Sequence, residues 1–200
     1  MKLSVLLMFI SIELFGAESS WRSGDVLLIP LNCYSCRYIE SESKAPFSHS
    51  GLLLKINGQW RVTQSLGEVS SLSVAKFLSM GRKGEKALHL RAKFLKKNLA
   101  DKEMEKVFNR DFKGLGFDPE YRWNNFQADG SELLYCSEYI TKFLNRFLSK
   151  KIIPKAMDYS NNWDYWFNYF NGDVPQGEAG NSPADFYFSK DFKKIKYLSL

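Results

Sequence analysis

Histidine is nearly missing from this chain, with two among 200 residues, and cysteine is scarce at three. That scarcity excludes the histidine- and cysteine-rich metal modules. Cys33 and Cys36 form a closely spaced pair, but no second pair exists to complete a zinc site. An internal repeat, a low-complexity tract and a linker long enough to divide domains are all lacking, so the chain reads as one compact unit. No apolar run is long enough for a comfortable membrane span. The longest, Leu3 to Phe15 after Met1 and Lys2, has the charged start and short apolar stretch of a secretory signal peptide, with Ala17, Glu18 and Ser19 as a small-residue exit. Residues 1–19 are therefore expected to be a signal peptide, and residues 20–200 one exported domain, periplasmic or secreted. No cysteine ends the apolar run, which argues against a lipid-anchored lipoprotein.

A large excess of one charge sign is also lacking. The net charge of +6 is compatible with anionic envelope surfaces. The lysines, however, are spread from Lys76 to Lys113 and again near the end, the pattern of solvated helix faces. Nucleic-acid binding is therefore not expected.

What the chain does have is apolar residues at 44%, aromatics at 16%, and periodic segments to place them. Val26 to Ile29, ended by Pro30, reads as a buried strand, and Asn32 to Pro46 as a loop or short helix. Phe47 to Ile56 and Gln59 to Ser65 flank Asn57-Gly58, which supplies the positive φ angles of a tight hairpin. Ser73 to Met80 suggests a short helix, Ala87 to Phe94 a strand, and Asp101 the cap of a helix ended by Gly114 and Gly116. Phe117 to Ser131 reads as a loop. From Cys136 the residues Tyr139, Ile140, Phe143, Leu144, Phe147 and Leu148 recur at helical spacing. Trp163, Trp166, Phe167 and Phe170 form a second stripe, more in keeping with core than with a substrate groove, before the turn-rich segment Asn171 to Pro183.

Cys136 stands out because a thiol at a helix start meets the positive end of the helix dipole, which favours thiolate. A buried structural cysteine is the plain alternative. A thiol nucleophile needs a base, and the choice is between His49, at the mouth of the hairpin, and His89, inside a strand where a histidine is more often packed or a bystander. With a two-residue loop, Ile56 pairs with Gln59 and Gln64 faces Gly51, one diagonal step from His49 on the same face. The Gln64 amide oxygen can then hold the imidazole in one tautomer. A three-residue loop would flip the register and put Thr63 there instead. Cys33 and Cys36 admit a local disulfide, thiol exchange or zinc. Export favours the disulfide, and the βαβ surround of thioredoxin-like proteins is missing.

Several segments together resemble the YiiX-like branch of the NlpC superfamily, the permuted papain-like amidases. They are Gly24-Asp25, Phe47-Ser48-His49-Ser50-Gly51, Val62-Thr63-Gln64-Ser65, Asp118 to Trp123, Tyr135-Cys136-Ser137-Glu138, Pro175 to Glu178 and Asn181-Ser182-Pro183, and they span nearly the whole exported part. The resemblance implies an α+β, permuted papain-like fold in which a small antiparallel sheet packs against the helix bearing Cys136. It also implies a catalytic group of Cys136, His49 and Gln64, with the helix start and Tyr135 stabilising an oxyanion. Relatives carry glutamate where this chain has Gln64, and an aliphatic residue where it has Ser50. The expected activity is cysteine hydrolysis of an amide, with cell-wall peptide or an acylated lipid or small molecule as partner. The alternatives are a lipid-directed acyltransferase or hydrolase of the lecithin-retinol acyltransferase type, which shares the permuted fold, and a non-catalytic wall- or lipid-binding protein. No metal and no cofactor are called for. Glu138, in the first helical turn, is expected only to favour the dipole.

Overall fold

The computed structural model describes residues 20–200, so the expected signal peptide lies outside the described residues. The apolar run after Gly24-Asp25 forms strand β1 (Asp25–Ile29), whose residues are buried throughout because both faces of the sheet are covered. Helix α1 (Tyr34–Ser43) fills the segment left open between loop and helix, and a left-handed Lys44 ends it. The hairpin follows as β2 (His49–Ile56) and β3 (Gln59–Leu66), closed by Asn57 and Gly58 at positive φ. Its register pairs Ile56 with Gln59 and Leu52 with Thr63, as a two-residue loop requires.

Strand β4 (Glu68–Ser73), helix α2 (Val74–Leu78) and strand β5 (Lys86–Ala92) complete the first half. Helix α3 (Asp101–Val107) runs into a π-helical turn at Phe108–Phe112. The expected loop then holds the short strand β6 (Asn125–Phe126), which pairs with β7 (Glu132–Leu133) ahead of helix α4 (Cys136–Asn145). Strand β8 (Lys155–Ala156), helix α5 (Trp163–Tyr169), strand β9 (Ala179–Gly180), helix α6 (Pro183–Phe188) and strand β10 (Phe192–Ser199) follow.

Six strands form one antiparallel sheet in the order β10-β5-β1-β2-β3-β4. Alternation along β1 and β2 sends Val26, Leu28, Leu52 and Leu54 to one side, where α3, the π-helical turn and α4 add Met104, Phe108, Tyr139, Ile140, Phe143 and Leu144. Leu27, Ile29 and Leu53 face the other side, beneath Cys36 of α1 and Val74 and Phe77 of α2. Each fully buried α4 side chain contributes about 1.5–3 kcal/mol by leaving water, so the stripe read from the sequence fixes how this helix seats on the sheet. The fold is α+β, with an antiparallel sheet packed on the Cys136 helix, as expected.

Besides the two-residue strands β6 to β9, three elements were not anticipated. Strand β4 buries little besides Val69, and β10 alternates its apolar residues with Lys193, Lys194 and Lys196 as an edge strand, so neither has a strong period. Helix α6 hides in a turn-rich segment, although Ser182 and Asp185 form a capping box and Pro183 sits at its first position, a readable start signal.

Candidate functional site

Cys136 opens α4, whose first backbone N–H groups have no acceptor within the helix. Three contacts seat that helix start on the hairpin. Tyr139 donates to Thr63 Oγ1 at 2.7 Å, Ser65 donates to the Leu134 carbonyl at 2.5 Å, and the thiol lies against Ser50. Ser50 follows His49 on β2, and the two side chains point to opposite sides of the strand. The imidazole lies 5.7 Å from the Phe77 ring, while the Ser50 hydroxyl has no hydrogen-bonding oxygen or nitrogen partner.

His49 Nε2 and Gln64 Oε1 are 2.8 Å apart and buried, as the hairpin register leads one to expect. Gln64 Nε2 donates to Ser70 Oγ at 3.3 Å, which turns the amide oxygen toward the imidazole. His49 Nε2 therefore carries the ring proton, and Nδ1 keeps its lone pair. The structure does not bring imidazole and thiol together: the ring lies on the Phe77 side of β2, held by Gln64, and the thiol lies on the other side, flanked by Ser50 and Ser137 in a cavity that His49 does not line.

Burial dominates the protonation of both groups. It lowers the His49 pKa to about 4 against the opposing Gln64 hydrogen bond, and it raises the Cys136 thiol although Ser50 and Ser137 favour the anion. The helix dipole does not prevail over desolvation here, and the resting pair is neutral thiol with neutral imidazole. Glu138 is fully buried as well. Burial lifts its carboxyl to about 7 against Lys142 and the Asn124 N–H, and Oε2 has no partner. Its surroundings go beyond the dipole role expected of it.

Cys136 lines a cavity of about 230 Å³, together with Ser48, Tyr135, Tyr159, Trp166 and Asn181. Tyr135 Oη accepts from the Asn181 N–H at 3.1 Å, which leaves its own proton free to donate. Asn181 clamps the helix start: Ser137 Oγ donates to its carbonyl at 3.1 Å, and its amide nitrogen donates to Ser137 O at 3.2 Å and to Thr141 Oγ1 at 2.5 Å. Its Oδ1 and the Tyr159 hydroxyl are buried without partners. Neither residue was singled out from the sequence. Both reach the site only through folding, and the sole clue was Asn181 within one of the quoted segments. Arg122 joins two others, pairing with Glu178 at 2.5 Å and with Asp173 at 2.7 Å.

The second histidine lies elsewhere. His89 Nε2 is 2.7 Å from Asp25 Oδ2, and Arg91 clamps the same carboxylate. Cys33 and Cys36 are joined as a disulfide at the start of α1, and Cys136 is the free cysteine.

Over 90% of this chain and 98% of its counterpart, the structure superposes on the crystal structure of YiiX, a metalloprotein from Escherichia coli O157:H7, with a TM-score of 0.74 at 19% identity. The fold is that of YiiX. No family model and no curated protein matches the sequence. The metal named for YiiX finds no fitting donor set here. The candidate site offers one imidazole, one thiol and a neutral amide, and among the described residues no group of three or more His, Cys, Asp or Glu side chains is placed to hold an ion. No step below passes through a metal.

Proposed function

We propose that this chain is an exported cysteine hydrolase that cleaves an amide bond, with cell-wall peptide as its substrate class. The observation that carries the proposal is a buried thiol at a helix start on a cavity wall, beside a strand residue whose neighbour, His49, is fixed in one tautomer by Gln64. Export is supported by the leader-like residues 1–19 and by the closed Cys33–Cys36 disulfide, which belongs in an oxidising compartment. The choice of cell-wall peptide rests on export together with the resemblance of the motifs.

In this mechanism His49 Nδ1 takes the Cys136 proton as sulfur attacks the amide carbon. Because the resting pair is neutral, that proton moves during the attack instead of beforehand. The two side chains start on opposite faces of β2, so in this mechanism substrate binding must swing the His49 ring around the strand's first residue to the thiol's face. The N–H groups at the start of α4 and the free Tyr135 proton stabilise the oxyanion. The imidazolium returns its proton to the leaving nitrogen as the C–N bond breaks. Water, deprotonated by His49, then attacks the thioester, the C–S bond breaks, and the thiol is restored. Gln64 stabilises the imidazolium less than a carboxylate does.

An amide is favoured over a lipid ester because the cavity holds an unpaired acceptor, Asn181 Oδ1, and an unpaired hydroxyl, Tyr159. A peptide group offers an N–H to one and a carbonyl to the other. An ester lacks the N–H and leaves the acceptor dry, at about 1–3 kcal/mol.

A fluorescent thiol-directed acyl probe tests the chemistry. Labelling of the intact protein that disappears in Cys136→Ala and His49→Ala supports the hydrolase, and no labelling of the intact protein points to a binding protein with a decayed site. Product analysis after incubation with muropeptides or phospholipids separates amidase from lipid hydrolase.

A further inference from the structure

The opposite end of β1 from His49 carries a second groove that the hydrolase reading does not use. It has a volume of about 810 Å³ and lies between the entry to β1, the exit from β5 and the start of β10. Trp21 and Trp60 meet edge to face in its wall, with ring centroids 6.1 Å apart. Exposed Arg22, Lys93, Lys96, Lys97 and Lys193 line it, and among the described residues none of these has a carboxylate within ion-pair distance. Arg91 also lines it, but is committed to Asp25; Asp101 is the other carboxylate present.

Lysines scattered over a helix face are ordinary. Here they come from separate segments and converge on one concavity, so their fields add where solvent access is reduced. A second observation points to a ligand independently. The Trp21 side chain is 5% exposed, and its Nε1 is a buried donor with no acceptor. Buried donors are nearly always satisfied, and this one sits on a residue of the groove wall, where a turn of the indole toward the groove would satisfy it with an anionic oxygen.

We infer that this groove binds an anion bearing more than one phosphate, which the free cations hold by charge and the Trp21 indole by a directed hydrogen bond. A single carboxylate would leave most of the cations unanswered, whereas several phosphates spread over a groove of this size match them. The same chemistry is available from a free polyphosphate-type ligand or from clustered phospholipid headgroups. The site is separate from the Cys136 cavity, so its test uses binding rather than hydrolysis.

The full-length chain is titrated with inorganic tripolyphosphate by calorimetry, and sedimented with phosphatidylglycerol or phosphatidylcholine vesicles at low and moderate salt. The groove variant K96E/K97E/K193E is compared with K76E/K83E/K113E, an equal change of charge at exposed lysines outside the groove. The groove variant is expected to lose about tenfold or more in affinity with a shallower salt dependence, while the outside variant changes much less. Trp21→Phe, which keeps the ring and removes the donor, is expected to lose about threefold to tenfold. Tripolyphosphate binding with these losses identifies a free phosphate ligand; binding confined to phosphatidylglycerol vesicles with the same losses identifies a headgroup. Equal losses in the two lysine variants, unchanged affinity in Trp21→Phe, or no binding of either probe overturns the site.

Discussion

Two imidazoles lie buried in the same sheet and differ in what holds them. His89 has the partner expected of a catalytic base, a carboxylate at 2.7 Å, and Arg91 on the far side of that carboxylate. His49 has only a neutral amide, at 2.8 Å, yet it is the one whose strand neighbour abuts a thiol on a cavity wall. Around Asp25, burial pushes the carboxyl up, but the hydrogen bonds from Arg91 and His89 prevail and keep it below its ordinary range. That cluster is a closed ionic lock. On the proposed function, then, a histidine–carboxylate pair is the poorer marker of reactivity, and a nucleophile with an access path the better one.

The sharpest way to break the comparison is to exchange the roles. With the acyl probe, His49→Ala is expected to cut the labelling rate by about 10³-fold, and His89→Gln to leave it within about threefold. A comparable loss in both variants removes the distinction. Stability should behave in the opposite sense: Asp25→Asn leaves Arg91 facing a neutral partner and is expected to cost about 3 kcal/mol in urea unfolding with little change in labelling. A midpoint equal to wild type shows that the lock contributes nothing.

Titration sharpens the contrast. His49 in the folded state has its pKa lowered from 6.5 to about 4. Between those values only the unfolded chain binds the proton, so stability is highest above pH 6.5 and falls by about 3 kcal/mol as pH drops to 4. Unfolding curves measured across that window should diverge from those of His49→Gln by this amount, and parallel curves rule out a buried neutral ring. The smallest effect is expected from Gln64→Glu, which gives His49 the kind of partner His89 has. A carboxylate favours the imidazolium, so the acid limb of the labelling profile moves to higher pH and the neutral-pH rate rises about tenfold. An unmoved profile means that Gln64 serves only to hold the tautomer.

Much of the site's frame was legible because it is local. The stripe after Cys136 sets the helix start, the shortage of histidine narrows the base to two residues, and Asn57-Gly58 determines the register that puts Gln64 beside His49. What stayed hidden depends on distant contacts. Asn181 meets Ser137 across 44 positions, and the thiol meets Ser50 from the far side of the chain, neither of which leaves a period or spacing to read. The balance of dipole against desolvation at Cys136 was equally invisible, because burial belongs to the folded state. Strands β4 and β10 were missed because edge strands need only half an apolar pattern.

Asn181 has one more consequence, for the order in which the molecule becomes competent. The thiol and the imidazole both lie within the first 136 residues, but the clamp on the helix start and much of the cavity wall come from residues 155–188. A chain emerging during synthesis thus carries both groups before it has the cavity they are proposed to serve. On the hydrolase reading, synthesis delays the chemistry until the last quarter of the protein has folded against the helix that bears the thiol.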